Sequence, residues 1–282
     1  CCVVDLKLTR MFIATIALSL IGGFFKVLGG TVGGSKSVFV DALTSIANTL
    51  AILFVYRFFT ISTAPPDEDH HYGHYRVGIG GPILTLMLYS FVAGVVVVDL
   101  YNAYDTPYTV NLWAPVFALA GLVPYTVAIA VSKRIGSTAV YYARFTVVEI
   151  IESSVTVLTA LGGALVSYLV DFAGAVALLS YLIVELAKSF REVVAYVSDA
   201  APEEIVRRLE SILRDYGVVA ERVRVRRVAE NVYHGDIVLK LPPGTSIEKA
   251  HSVADSIEKE VKNKLNIDIV VHIEPDSRKK PH

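Results

Sequence analysis

Six long apolar runs before residue 188 constrain the fold of this chain more than any other feature. The runs are Leu8–Leu28, Val38–Thr60, Ile79–Tyr101, Leu112–Ser132, Phe145–Tyr168 and Phe172–Ala187. A helix of about 20 apolar residues crosses the hydrocarbon core of a bilayer, and the mean hydropathy of the whole chain is +0.53. Because the connections between the runs are short, we expect a multi-pass, six-helix transmembrane bundle with antiparallel neighbours.

Lysine and arginine residues that flank the runs predict the orientation of this bundle, since cytoplasmic loops carry an excess of basic residues. One side of the predicted bundle carries only Lys36. The other side carries Lys7, Arg10, Arg57, Arg76, Lys133, Arg134, Arg144, Lys188 and Arg191. We therefore expect both termini in the cytoplasm and the bundle in the plasma membrane. A formal net charge of -1 argues against nucleic-acid binding.

The chain becomes charged and alternating after the segment Ser198-Asp199-Ala200-Ala201-Pro202. The spacing of apolar residues there predicts a helix from Glu203, two strands, a second helix and a last strand. The last four elements are Val219–Val228, Val232–Leu241, Ser246–Leu265 and Ile267–Glu274. The order αββαβ predicts a small, ferredoxin-like α+β domain. We expect residues 1–198 to form the transmembrane domain and residues 199–282 to form a cytoplasmic domain.

Ionisable and polar side chains inside the runs suggest a binding site within the membrane, because such groups usually face the interior of a bundle or an aqueous path. Asp41, Thr44, Ser45 and Asn48 share one face of the second run, and Glu149 and Glu152 share a face of the fifth. Together their oxygens could replace the hydration shell of a divalent cation. The alternative is that these groups only join the helices by hydrogen bonds. Lys26, in the first run, could serve as a counter-charge to one of the acids.

A second group of candidate metal ligands lies between the second and third runs. The stretch Pro65-Pro66-Asp67-Glu68-Asp69-His70-His71-Tyr72-Gly73-His74 holds three acids and three of the seven histidines. Imidazole nitrogen together with carboxylate oxygen is a usual ligand set for zinc and its neighbours in the transition series. We expect Asp67, His70 or His71, and His74 to bind a metal ion at the cytoplasmic edge of the membrane.

The predicted C-terminal domain supplies a third group of candidate ligands. His234, His251, His272 and Glu274 lie in or beside its strands and second helix. His272 and Glu274 are two residues apart and should share one face of the last strand. The alternative for each histidine is a polar surface residue, and His234 is the weakest candidate.

In these features the chain resembles the cation diffusion facilitator family of divalent metal efflux transporters. The similarity covers nearly the whole length. Its motifs are Ser37-Val38-Phe39-Val40-Asp41-Ala42, the stretch from Pro65 to His74, Ser198-Asp199-Ala200-Ala201-Pro202, Ala250-His251 with Asp255 and Glu258, and Val271-His272-Ile273-Glu274-Pro275. The resemblance implies six spans, an αββαβ cytoplasmic domain, a homodimer, and export of cytoplasmic metal in exchange for protons.

The resemblance also implies a transport site made of two residues on the second span and two on the fifth. The matching positions in this chain are Thr44, Asn48, Val148 and Glu152. This set departs from the Asp and His residues common in the family, so Asp41 and Glu149 are candidates to complete it. Without a histidine, this site should favour harder ions, and proton coupling would run through carboxylates such as Glu152.

Three functions follow as expectations. The first is alternating-access export of a divalent ion: zinc is the family's commonest cargo, and the oxygen-rich site points to manganese, iron or magnesium, with cobalt a further possibility. The second is a relative that no longer transports and serves as a metal-sensing membrane protein. An enzyme is the least favoured, because no His-Glu-x-x-His helix is present in the sequence.

Overall fold

The computed structural model of the chain describes residues 6–132, 140–229 and 231–276. Lys133 and Arg134, which contribute to the predicted orientation, lie outside the described residues, as do the side chains of Lys7, Arg10 and Arg144. Eight α-helices and three strands occur in the described part of the chain. They are α1 (Leu6–Thr31), α2 (Lys36–Ser62), α3 (Gly80–Ala103), α4 (Trp113–Ser132), α5 (Val140–Leu165), α6 (Tyr168–Val197), α7 (Glu203–Asp215), β1 (Val219–Ala229), β2 (Val232–Leu241), α8 (Ile247–Leu265) and β3 (Ile267–Pro275). A 3-10 turn, Tyr75–Ile79, precedes α3.

The chain forms two compact units. The first, called here the helical unit, contains residues up to Thr60 and from Gly80 to Phe190. The second, called the C-terminal unit, contains the connection Ile61–Ile79 and all residues from Arg191 onward. The connection that carries the predicted histidine cluster therefore belongs to the same unit as the sheet.

The helices α1 to α6 coincide with the six predicted apolar runs, which confirms the predicted fold class. By length and composition, three helical segments among the described residues could each cross a membrane: Lys36–Ser62, Tyr75–Ala103 and Tyr168–Val197. Shorter apolar stretches occupy Ile16–Thr31 and Trp113–Val127. The fifth run was predicted to continue to Tyr168, but α5 ends at Leu165. Ser167 begins α6 instead, because its hydroxyl oxygen accepts a hydrogen bond from Leu169 N at 3.3 Å.

Glycine residues let α1 and α4 approach each other closely. A Cβ atom on Gly22 would lie 2.6 Å from the Tyr125 ring, and one on Gly33 would lie 2.6 Å from Ala114 Cα. Small residues of this kind are how membrane helices bring their backbones together. The close approach places Tyr125 beside the middle of α1. Elsewhere in the helical unit, α2, α3 and α6 share an apolar core: Val40, Ala47, Val92, Ala93, Val96, Leu100, Ala175, Leu178 and Leu182.

A buried carboxylate from α6 holds the start of α2. Asp171 Oδ1 accepts hydrogen bonds from the Ser35 and Ser37 hydroxyls, both at 2.6 Å. Asp171 Oδ2 accepts from the Lys36 backbone N–H at 2.7 Å and from the Tyr108 hydroxyl at 3.0 Å. The free N–H groups and the positive end of the helix dipole favour an anion at this position. The carboxylate therefore fixes the helix on which the predicted membrane ligands lie.

The C-terminal unit contains the αββαβ order that the sequence predicts. Its sheet has the order β1-β2-β3, with β1 antiparallel and β3 parallel to β2. The helices α7 and α8 cover one face of the sheet, and the core between them consists of Leu209, Ile212, Leu213, Tyr233, Ile237, Leu239, Ile257, Val261, Leu265, Ile267 and Ile269. The sequence offers Thr245 or Ser246 as the residue that caps α8, and Ser246 does so, since its hydroxyl accepts from Lys249 N at 3.3 Å.

Candidate metal centres

Three side chains of the Ile61–Ile79 connection converge on one point. Asp67 Oδ1 is 3.3 Å from His70 Nδ1, and Asp67 Oδ2 is 3.3 Å from His74 Nε2. One ligand atom from each residue lies within 4.8 Å of the others. With zinc–ligand bonds of about 2.0 to 2.2 Å, two ligands of a tetrahedral ion are about 3.4 Å apart. The spacing of the carboxylate and the imidazoles therefore suits a small transition-metal ion.

Hydrogen bonds between the backbone and these side chains orient the cluster for binding a cation. His74 Nδ1 donates to the Pro65 carbonyl oxygen at 3.1 Å, which leaves Nε2 of the neutral ring as a lone-pair donor facing Asp67. Two acceptors that face each other need a shared cation or proton between them. The backbone N–H groups of Asp69 and His70 donate to Asp67 Oδ1 at 3.1 and 2.7 Å. The donation from His70 N is the main reason that the pKa of Asp67 is lowered, so the carboxyl stays ionised as a ligand.

His71 lies outside this cluster, although the sequence offered it as an alternative to His70. It is exposed, and the group of converging ligand atoms contains Asp67, His70 and His74 alone. The backbone turn explains the choice: Gly73 has a φ of +78°, and its N–H donates to the His70 carbonyl oxygen at 2.8 Å. This tight turn brings the His74 ring to 4.1 Å from the His70 ring.

A buried lysine lies among the polar side chains of the helical unit. The Lys26 ammonium on α1 donates to Asp41 Oδ1 at 2.9 Å and to Ser45 Oγ at 2.7 Å, both on α2. Its nitrogen is 3.8 Å from Glu149 Oε1 on α5 and 4.4 Å from the centre of the Tyr125 ring. The side chains of Lys26 and Asp41 have no exposed surface, and that of Glu149 is 3% exposed. The structure thus brings two of the predicted acids together around an internal cation.

The remaining predicted membrane ligands lie near this cluster or on the same helix faces. Thr44 and Asn48 are both buried on α2, and the Thr44 hydroxyl donates to the Asp41 carbonyl oxygen at 3.1 Å. Glu152 is half-buried on α5, three residues after Glu149 and therefore on the same side of that helix. The Val148 side chain lies outside the described residues.

Several buried oxygen atoms in this region have no hydrogen-bond partner among the described residues. They are Asp41 Oδ2, Asn48 Oδ1, Tyr125 Oη, Glu149 Oε1 and Thr156 Oγ1. A buried polar atom without a partner is costly, and in native proteins it usually marks a site for water, an ion or a functional group. Sequence reasoning missed Tyr125 and Thr156, together with Ser153, whose hydroxyl donates to Asp41 Oδ1 at 3.4 Å. The signal for Ser153 was its position four residues after Glu149, which places both on one face of α5.

The candidate ligands of the C-terminal unit do not gather into one cluster of three ligand atoms within the described part of a single chain. His272 Nε2 is 3.6 Å from Glu274 Oε1 on β3, so these two share a face as predicted. The Lys240 ammonium is 3.0 Å from Glu274 Oε2, and this contact lowers the pKa of Glu274. His251 lies apart on the exposed face of α8.

His234 has a different environment from the other histidines of this unit. Its ring centre is 6.2 Å from that of Tyr72 and 6.1 Å from that of Tyr75, both in the connection that carries the Asp67 cluster. Arg76 of the same connection forms an ion pair with Asp199. Partial burial among these groups lowers the pKa of His234. His234 therefore packs against the connection, near the N-terminal end of β2.

The order of these elements and sites has a counterpart in known proteins. Residues 12–196 match the family model of the cation efflux transmembrane domain, and residues 199–276 match that of the cytoplasmic domain of cation efflux proteins. The chain belongs to the cation diffusion facilitator family. This result confirms the resemblance drawn from the sequence motifs, and it assigns the chain to a family of metal-cation transporters rather than enzymes.

Relatives within the cation diffusion facilitator family align over nearly the full chain. The manganese efflux system protein MneP of Bacillus subtilis is 25% identical, with 93% of this chain and 94% of that protein covered. The magnetosome protein MamM of Magnetospirillum gryphiswaldense is 23% identical, with 93% and 86% covered. The manganese efflux system protein MneS of Bacillus subtilis is 25% identical, with 95% of each chain covered.

Proposed function

We propose that this family member exports a divalent metal ion from the cytoplasm, with the transport site formed by Asp41, Thr44, Asn48, Glu149 and Glu152. The observation that carries the proposal is that Asp41 and Asn48 on α2 and Glu149 on α5 each have a buried oxygen atom without a hydrogen-bond partner among the described residues. The carboxylates of Asp41, Glu149 and Glu152 together with the Lys26 ammonium leave an excess of two negative charges when all four groups are ionised. Charge of that size is expensive inside a membrane, and one divalent cation would balance it.

The chemistry of the ligands favours manganese or iron(II) as the transported ion over zinc. The proposed site offers carboxylate, hydroxyl and amide oxygens and no imidazole, and oxygen ligands suit the harder divalent ions. Two of the relatives are named as manganese efflux proteins. Zinc, the first choice from sequence, fits the Asp67, His70 and His74 cluster better, because that cluster supplies two nitrogen ligands. We therefore assign the two kinds of site to different preferred ions.

Export further requires an orientation, a partner and a driving ion. We propose that residues 1–198 form the transport domain, with both termini in the cytoplasm of a plasma-membrane protein. Residues 199–282 form the cytoplasmic domain, through which two copies make a homodimer. A second copy would complete the ligand sets of His251, His272 and Glu274, which do not close a site within the described residues of one chain. Protons are the proposed counter-ions, carried by the carboxylates of the empty transport site.

One observation favours a second function, that of a metal-sensing relative which has lost transport. The Lys26 ammonium already occupies the carboxylates of the membrane cluster, so a permanent internal cation could replace the transported one. In that case the Asp67 and C-terminal sites would still bind metal and change the arrangement of the dimer, while no ion would cross the membrane.

Metal flux into proteoliposomes under an imposed proton gradient distinguishes the two functions. We would test manganese, iron(II), zinc and cobalt with the full-length protein and with Glu152→Gln. Glu210→Gln, which changes an exposed acid on α7, is the matched control. Saturable manganese uptake that is lost in Glu152→Gln and retained in Glu210→Gln supports transport. Equal flux in all three proteins would exclude Glu152 from the site, and no flux for any ion, with metal still bound, would favour the sensor.

A further inference from the structure

The Lys26 ammonium lies at the position that a bound cation would take in the membrane cluster. It is within hydrogen-bond distance of Asp41 Oδ1 and Ser45 Oγ, at 2.9 and 2.7 Å, and it is 3.8 Å from Glu149 Oε1. The Tyr125 ring covers it at 4.4 Å, in the geometry of a cation–π contact. A carboxylate pair, a hydroxyl and an aromatic face therefore form a complete binding site for a cation, and a side chain of the protein fills it.

A divalent ion and this ammonium cannot share the same carboxylates. Metal–oxygen bonds are about 2.0 to 2.2 Å long, so an ion bound to Asp41 and Glu149 would lie only a few ångströms from the Lys26 nitrogen. Like charges at such a distance repel strongly, and in a buried site there is little water to screen them. Either the ammonium withdraws when the metal binds, or the metal stays out.

We propose that Lys26 is a built-in competitor of the transported ion: its ammonium occupies the Asp41 and Glu149 carboxylates in the empty carrier, and the divalent ion must displace it to bind. Lys26 is thus a positioning residue that sets the metal affinity of the site without binding metal itself. The effect on turnover rests on the proposed transport function, whereas the competition itself concerns binding alone.

Gly121 lets the stem of the Lys26 side chain pass between α1 and α4 in the position that it occupies. The stem runs beside Gly121 of α4, where a Cβ atom would lie 2.9 Å from Lys26 Cγ. The absence of a side chain at Gly121 leaves room for the stem, and a lysine side chain has four rotatable methylene groups. Withdrawal from Asp41 would require a change of rotamer along this stem, which is a smaller movement than a shift of the α1 backbone.

Competition of this kind has a function in a transporter cycle. After the metal leaves, the ammonium returns to the carboxylates and neutralises part of their charge, so the empty carrier can change conformation without unpaired anions in a low-dielectric interior. Removal of the ammonium should therefore give a site that binds metal more tightly and releases it more slowly. A residue with only a structural role would give the opposite result for binding, since its loss disorders the site.

Equilibrium binding of Mn²⁺ to the full-length protein in detergent tests the competition directly. Free Mn²⁺ is measured by its paramagnetic resonance signal, in a background in which the substitutions Asp67→Asn, His70→Ala, His74→Ala and His272→Ala remove the other candidate sites. We expect Lys26→Met to lower the dissociation constant roughly 10- to 100-fold, an effect of the size that coupling free energies in proteins commonly have. Lys26→Arg keeps the charge and should stay within about 3-fold of the parent protein, well below that range. An unchanged or weaker affinity in Lys26→Met overturns the proposal.

A second pair of variants covers the case in which Lys26→Met fails to fold, since it leaves two buried acids without a counter-charge. In Asp41→Asn the ammonium can still pair with Glu149, and in Asp41→Asn with Lys26→Met it cannot. The double variant should bind Mn²⁺ more tightly than the single one, and equal binding by both would contradict the competition.

Flux measurements separate this proposal from the transport function. For a transporter, Lys26→Met should lower both KM and the maximal rate for Mn²⁺, a combination that a damaged fold does not produce. If the parent protein carries no ion but Lys26→Met still binds more tightly, the competition stands and the transport function fails. If the parent carries Mn²⁺ and Lys26→Met does not bind more tightly, transport stands and the competition fails.

Discussion

The carboxylate of Asp171 offers the most direct test of how the helical unit is held together. Its two oxygens accept four short hydrogen bonds, from Ser35 Oγ, Ser37 Oγ, Lys36 N and Tyr108 Oη. The Asp171 side chain is completely buried, so the four donors would lose their partner without gaining water if it were removed. The perturbation is Asp171→Ala, with Asp171→Asn as the graded variant.

The expected loss of stability follows from the number and type of these hydrogen bonds. Hydrogen bonds to a charged group are each worth about 1.5 to 3 kcal/mol, so four of them give a gross value of about 6 to 12 kcal/mol. The desolvation of a buried carboxylate offsets several kcal/mol of this. We therefore expect Asp171→Ala to lower the free energy of unfolding of the helical unit by about 4 kcal/mol. Asp171→Asn keeps one acceptor for Lys36 N but loses the charge, and should cost about 2 kcal/mol.

The single tryptophan of the chain, Trp113, makes the measurement specific to this unit. It lies in the first turn of α4, so its fluorescence during a denaturant titration in mixed micelles reports the helical unit and not the sheet. Asp105→Ala, which removes an exposed acid from the nearby turn, is the control and should change stability by less than about 0.5 kcal/mol. A loss below about 1 kcal/mol in Asp171→Ala would show that the carboxylate does not hold α2 as argued.

Two further predictions concern the C-terminal unit. The affinity of the full-length protein for zinc, measured by calorimetric titration, should fall by at least roughly 10-fold in Asp67→Asn, because a ligand is removed. The affinity should be unchanged in His71→Ala. A loss of zinc affinity in His71→Ala would contradict the selection of His70 over His71 by the turn at Gly73. Since burial lowers the pKa of His234 from its ordinary value of 6.5, the unfolded chain binds more protons than the folded one just below pH 6.5. The stability of this unit should therefore fall as the pH decreases through that range. In circular-dichroism melts between pH 7 and pH 5, His234→Gln should make the stability depend less on pH. An unchanged pH dependence in this variant would contradict the role given to His234.

The parts of the structure that were predictable from sequence depend on local patterns. Apolar length located the six helices of the helical unit, and the alternation of valine and arginine in β1 located the first strand. Capping chemistry limited the start of α8 to Thr245 or Ser246, and the structure has Ser246 as the cap. The end of α5 was placed too late, because hydropathy continues through Val166 and only the hydroxyl of Ser167 marks the start of the next helix.

The candidate sites also differ in how much of their geometry could be predicted from local sequence. Asp67, His70 and His74 lie within eight residues of one another, so a single turn can bring them together and the sequence contains most of the information. The choice between His70 and His71 was open, because it depends on the positive φ of Gly73. The ion pairs within the helical unit were harder to predict from sequence. The sequence indicated Lys26 as a counter-charge but did not indicate which acid it pairs with.

The sequence by itself determined which segments are helices or strands, the order of the two domains, and the ligands that are neighbours along the chain. Only the tertiary structure decided that Lys26 pairs with Asp41 and Glu149, and that Asp171 caps α2 from 136 positions away from Ser35. The physical reason is that several buried acids are chemically equivalent partners for one lysine. Which of them lies within 4 Å is set by close packing of whole helices, such as the approach of α1 to α4 at Gly22, and not by any property of the residues themselves.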